Sequence, residues 1–193
     1  MSKLTGKIRR TAAKISKGFF IGVGVYAAVS LGALTANSLM PANERTAVLV
    51  GRMNGHPVLN SVRSGVNLFF LYAPVAINEN LHGCKVTYNF TATREQVLET
   101  LADTEFKNIV LIGHGSNSSF TAYDGIVTSY DVLCAGIERK PGRLIQYTCG
   151  KSYGSYPLGA TIVQDPSKWF HFNGIVSDIE VIAASIKNVF GSI

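Results

Sequence analysis

The chain has 193 residues, 47% of them apolar and 16% charged, with a formal net charge of +6. That composition supports one ordinary domain with a sizeable core plus an appendage, and it excludes wholesale disorder. The charge is confined to one end. Lys3, Lys7, Arg9, Arg10, Lys14 and Lys17 fall in the first 17 residues, no acidic residue precedes Glu44, and from residue 18 onward 12 Lys and Arg balance 12 Asp and Glu. A neutral domain offers no basic stripe for phosphates, so nucleic acid is not an expected partner.

Residues 1–17 read as a basic cytoplasmic tail. Gly18 to Met40 is a run of 23 residues without a charge, the length that spans a hydrocarbon core as a helix. With cations on its N-terminal side, 18–40 is expected to be a single transmembrane helix. Its N-terminus would be cytoplasmic, and the α/β domain at 44–193 would be extracytoplasmic. Two other readings compete. One is a cleaved signal peptide, with small residues near Thr35-Ala36. The other is an organelle transit segment, because Leu4, Ile8, Ala12, Ile15 and Phe19 share a helical spacing in an acid-free stretch.

Pro41 to Glu44 reads as a linker and Thr46–Val50 as a first strand. Residues 52–65 are polar and Gly-rich. Val66–Ile77 is apolar but too short to cross a bilayer, and reads as a core helix or strand. Lys85–Phe90 alternates as a strand, with Val86, Tyr88 and Phe90 on one face. Thr93 and Gln96 form a capping box, and the helix behind it turns Val97, Leu98 and Leu101 to one side. Asn108–Ile112 is a continuous apolar strand. Ser116–Gly125 reads as a polar loop and Ser129–Cys134 as a short helix. Pro141-Gly142 is a turn before a strand over Arg143–Thr148. Thr161–Gln164 is expected to be another strand. Ser177 and Glu180 open a C-terminal helix with Ile179, Ile182, Ile186 and Val189 inward. Strands alternating with helices define an α/β fold with a mainly parallel sheet flanked by helices.

Two of these strands end in reactive side chains. Asn108–Ile112 runs into Gly113-His114-Gly115, and Arg143–Thr148 runs into Cys149-Gly150. Ligands of open α/β sheets bind outside the carboxyl ends of the strands. If the two strands are neighbours, His114 and Cys149 emerge on one rim, and an imidazole beside a thiol is what generates a thiolate nucleophile.

The stretch from Val86 to Gly150, about 65 residues, resembles the caspase-like superfamily of caspases, metacaspases, gingipains and CHAT-type proteases. The resemblance is carried by a strand, by Ala92-Thr93 at a helix start, by an apolar strand ending in His114-Gly115, and by an apolar strand ending in Cys149-Gly150. Gln146 and Cys149-Gly150 echo the caspase Q-A-C-x-G signature with one residue inserted. The resemblance implies a cysteine peptidase acting on a protein or peptide substrate, which the 18–40 segment would hold at a membrane. Cys149 would be the nucleophile and His114 the proton-transfer partner. The backbone amides of Gly115 and Cys149 would form the oxyanion hole, with no cofactor. The chain departs from the pattern in three places. The His-to-Cys spacing is 35 residues against about 50 in caspases. Tyr147 stands where metacaspase-type enzymes carry an Asp that reads a basic substrate. Only 44 residues follow Cys149. Substrate-binding residues are therefore not assigned, and a non-catalytic interaction module of the same fold at the membrane is the alternative, using Ser116–Gly125 to bind a partner.

A third reading is a small serine esterase of α/β-hydrolase type. Gly150-Lys151-Ser152-Tyr153-Gly154 matches G-x-S-x-G, and Ser152, Asp165 and His171 follow the triad order. His56, His82, His114 and His171 show no ligand spacing and no Cys-x-x-Cys occurs, so no metal is expected. Of Cys84, Cys134 and Cys149 at least one stays unpaired, and Cys84 with Cys134 is one possible disulfide. Asn89 and Asn117 head glycosylation sequons, and a glycan on Asn117 would obstruct a site at His114.

Overall fold

The computed structural model describes residues 22, 24–41, 43–52, 73–149, 156–175, 177, 180, 181, 183, 184 and 187. Its centre is a five-stranded sheet built from β1 (Arg45–Val50), β2 (Lys85–Asn89), β3 (Phe106–Ile112), β7 (Leu144–Tyr147) and β8 (Trp169–His171), in the spatial order β2-β1-β3-β7-β8. All four pairings are parallel. A parallel sheet is covered on both faces, so its strands are apolar throughout rather than alternating. β1 and β3 accordingly bury nearly every residue.

Alternate side chains divide into two cores. The helices are α1 (24–39), α2 (73–81), α3 (Arg94–Ala102), α4 (Ser129–Cys134) and α5 (Leu158–Ile162). Ala47, Leu49, Ile109, Leu111 and Leu144 face α3, α4 and α5, packing with Val97, Leu101, Val132, Leu158 and Ile162. Val48, Val50, Val110, Ile112, Ile145 and Tyr147 face the other way, toward Val75 of the helix at 73–81 and Val181. The result is a three-layer α/β/α arrangement of the expected class.

Local signals in the sequence explain several elements. Gln96 N–H donates to the Thr93 hydroxyl while Gln96 Oε1 accepts from Thr93 N–H at 3.1 Å, completing the capping box of α3. Val97 and Leu101 are buried and Leu98 partly so, as their spacing requires. Ser177 and Glu180 form the second reciprocal cap. Val181 and Ala184 pack on the second core, whereas Ile179, Ile182, Ile186 and Val189 lie outside the described residues. Of Val66–Ile77, the described part is the start of the 73–81 helix.

Two expectations are corrected, and one strand is added. Ser116–Gly125 is not a plain loop. With the residues after it, it forms a small antiparallel sheet of β4 (Gly115–Ser116), β5 (Ser119–Thr121) and β6 (Ile126–Thr128). Its strands are polar because only Phe120 and Val127 point into the core. Thr161–Gln164 is not a strand: Thr161 and Ile162 belong to α5, and Val163 makes only an isolated bridge to Lys140. β8 was not anticipated, and it pairs in parallel with β7 through Leu144↔Trp169 and Gln146↔His171.

Within the 18–40 segment, residues 24–39 are helical. Among the described residues no helix is long and apolar enough to cross a membrane. One stripe of this helix packs on the domain: Ala33 is buried against Ala73 and Ala76, with Tyr26 alongside. Asn37 is also buried. Its Nδ2 donates to Val86 O at 2.9 Å and its Oδ1 accepts from Val86 N–H at 2.7 Å. Val25, Val29, Leu31, Leu34 and Leu39 remain exposed on the rest of the helix.

Candidate active site

β3 and β7 are adjacent and in register, with Ile112 paired to Tyr147. Gly113 N–H continues the ladder by donating to Tyr147 O at 3.3 Å. His114 and Cys149 each follow two residues after that pair, so both leave the carboxyl edge at the same depth from strands about 4.8 Å apart. They line one cleft of about 930 Å³. His114 is exposed and Cys149 half-buried. Both side chains lie at the carboxyl edge of the sheet, where α/β sheets bind ligands, in the β3/β7 gap beside the β1/β3 gap at which the strand order reverses.

The small sheet shapes the cleft floor. Thr121 N–H donates to His114 O at 2.9 Å, which makes Gly115↔Phe120 a non-hydrogen-bonded antiparallel pair. The N–H of Gly115 therefore points off the outer edge of β4, away from β5. An oxyanion donor has to point away from its own hairpin, as this N–H does. The glycine itself has a second reason: a Cβ on Gly115 would collide with Ser119 O of the facing strand.

Gln146 joins these parts. It is 1% exposed. Its Nε2 donates to Ser116 O at 2.6 Å and to the Thr148 hydroxyl at 2.9 Å, and its Oε1 accepts from Trp169 Nε1–H at 3.2 Å. One side chain thus ties the Cys149 strand to the hairpin behind His114 and to β8. No local pattern in the sequence announces this structural role.

Helix α4 forms another wall. Its cap is reciprocal: the Thr128 hydroxyl and N–H both donate to Asp131 Oδ2, at 2.7 and 2.8 Å, and Asp131 N–H returns to the Thr128 hydroxyl. These bonds, with Arg94 beyond them at 2.8 Å, hold the Asp131 carboxyl below its ordinary range. Ser129 Oγ donates to Tyr156 O at 2.9 Å and Leu158 N–H to Asn117 O at 2.7 Å, fastening the segment before α5 to the same wall.

The other proposed groupings fare differently. Asp165 caps the 3₁₀ turn before β8 and accepts from Ser167 N–H and Oγ, while His171 ends that strand, stacked on Trp169 at 3.9 Å. The two members of the esterase triad that are described are not brought together, and Ser152 lies outside the described residues. All three cysteines are free thiols, Cys84 buried and Cys134 exposed. Cys84 belongs to a polar cluster at the opposite end of the sheet, where Asn108 Nδ2 donates to its sulfur at 3.2 Å. Burial, then the nearby Glu79 carboxylate, push its thiol up. Tyr147 packs edge-on to Phe170, in the core face turned away from the hairpin. Among the described residues no group of His, Cys, Asp or Glu could hold a metal ion.

No protein-family model matches this chain, and no curated protein matches it.

Proposed function

We propose that the domain is a caspase-like cysteine peptidase with a Cys149/His114 dyad, held at a membrane by its N-terminal segment. The observation that carries the reading is the shared register: both side chains leave adjacent parallel strands two residues past the Ile112↔Tyr147 pair and line one cleft.

In the reaction, Cys149 Sγ attacks the peptide carbonyl carbon as its proton passes to His114. A C–S bond forms, and the carbonyl electron pair moves to oxygen, which accepts from the N–H groups of Gly115 and Cys149. Each such donor is worth roughly 3 kcal/mol in the transition state. The C–N bond then breaks as His114 gives its proton to the departing amine. Water, deprotonated by His114, attacks the thioester and frees Cys149.

The tether rests on the six cations that precede the 23 uncharged residues at 18–40. With Ala33 and Asn37 docked on the domain, lipid would meet the outer face of the helix at Val25, Val29, Leu31 and Leu34.

Iodoacetamide labelling and peptide hydrolysis test the dyad together. Cys149 is expected to react faster than an ordinary thiol, with the advantage lost in His114→Ala, and hydrolysis is expected to vanish in Cys149→Ala. An ordinary labelling rate with hydrolysis intact in Cys149→Ala sinks the proposal. Alkaline carbonate extraction tests the tether, which is refuted if full-length protein is released.

A further inference from the structure

The described lining of the cleft contains no Lys, Arg, Asp or Glu. Its floor is made of hydroxyls from the small sheet and the start of α4, held by their own bonds: Ser116 Oγ lies 2.8 Å from Ser119 Oγ, and Ser129 Oγ donates to Tyr156 O. The one carboxylate on α4, Asp131, is taken up by Thr128 and Arg94. Tyr147, two residues before Cys149, does not line the cleft but is buried against Phe170 and Phe172 on the other core.

The mouth is apolar. Ile126 is 55% exposed, Tyr130 73%, Leu133 51%, Tyr156 44% and Ile175 75%, and all five line this one cleft. Large apolar side chains left in water around a concave site mark a binding surface. An ionised side chain entering such a cleft would lose water; a cation would meet no carboxylate in the described lining, and an anion would meet only His114, whose proton the proposed reaction uses. A neutral one would cover the exposed rim and leave the floor hydroxyls paired as they are.

From this we infer that the cleft selects an uncharged apolar or aromatic side chain beside the bond to be cut. The inference rests on the peptidase reading for the cut, but not for the binding.

The test uses the full chain in detergent. Fluorescein-labelled peptides that differ at one central residue (Leu, Phe, Lys or Asp) are titrated into the Cys149→Ala protein and read by anisotropy. Leu and Phe peptides are expected to bind at least about tenfold more tightly than Lys and Asp peptides. Equal or tighter binding of a charged peptide, or binding of none of the four, overturns the inference. Leu133→Asp adds a carboxylate at a half-exposed position, where the fold tolerates it, and is expected to shift the preference toward the Lys peptide. An unchanged order in that variant counts against the cleft as the reader. The same peptides are then offered to the wild-type chain. Selective binding without hydrolysis refutes the peptidase reading and leaves the binding preference standing, so the two failures are distinct.

Discussion

Replacing Gln146 with Leu keeps the bulk of the side chain and removes its amide. Four groups then lose a partner: Ser116 O, Ser119 O (the longest contact, at 3.5 Å), the Thr148 hydroxyl and Trp169 Nε1–H. An orphaned buried donor or acceptor costs about 1–3 kcal/mol. Ser116 is half-exposed and recovers part of its loss from water. Thr148 is 2% exposed and recovers little. Trp169 is only partly buried. The sum is about 2–4 kcal/mol of folding stability, less whatever the extra apolar burial returns. Urea unfolding with an unchanged slope reads this as a lower midpoint. The larger effect falls on the site, because the hairpin behind His114 is no longer fastened to the Cys149 strand. At urea concentrations where the variant is still folded, any His114-dependent acceleration of Cys149 alkylation should drop about tenfold or more, as a displacement near 1 Å does elsewhere. Trp169→Phe removes only one of the bonds and should cost about 1 kcal/mol. The reasoning is refuted if Gln146→Leu unfolds within about 0.5 kcal/mol of wild type, a change ordinary for surface positions, and labels Cys149 at the same rate.

Four further outcomes are expected. Near pH 8, Cys84 should label more slowly than Cys134, because burial and Glu79 raise its thiol; mass spectrometry of alkylated peptides reads the order. Thr128→Ala should cost about 1 kcal/mol by removing the α4 cap, measured by urea unfolding. The depressed Asp131 carboxyl stabilises the folded state above its ordinary value of 3.8, and that stabilisation is lost as pH falls through the lower folded value. Asp131→Asn should therefore flatten part of the acid limb of a stability–pH curve, while Glu44, Asp165 and Glu180, depressed in the same direction, sustain the rest. Gly115→Ala should open the β4–β5 hairpin and lower the melting temperature, since its Cβ has no room beside Ser119 O; a melting temperature equal to wild type would refute that packing account.

Long apolar strands and reciprocal caps were legible because each is written in contiguous residues. β1, β3 and β7 follow from unbroken buried runs, and α3 from Thr93 and Gln96. The pairing of β3 with β7 was only conditional, because no local residue dictates which strands become neighbours. What misled was short structure held by distant partners. Thr161 and Ile162 are β-branched and read as strand, yet burial in α5 against the first core overrides that weak preference. The three-residue strands of the small sheet carry Ser and Thr because one face lines the cleft, so they resemble a loop. Trp169-Phe170-His171 is too brief and mixed to show a period, and is a strand because β7 offers it an open edge. At the site, sequence supplied His114 and Cys149, whereas the α4 wall and the apolar mouth exist only once α4 and the residue-156 segment meet.

An outermost strand offers unpaired amide groups on which another chain can add. The side chain of Asn37 has the same donor and acceptor as a peptide group, and it answers both main-chain groups of Val86. It works as a one-residue stand-in for a sixth strand. A chain that starts after Met40 would lose that stopper and expose β2 to a second copy of itself. Such a protein should self-associate through its sheet margin even with every residue of the His114–Cys149 cleft in place, which makes the helix at 24–39 a guard against polymerisation.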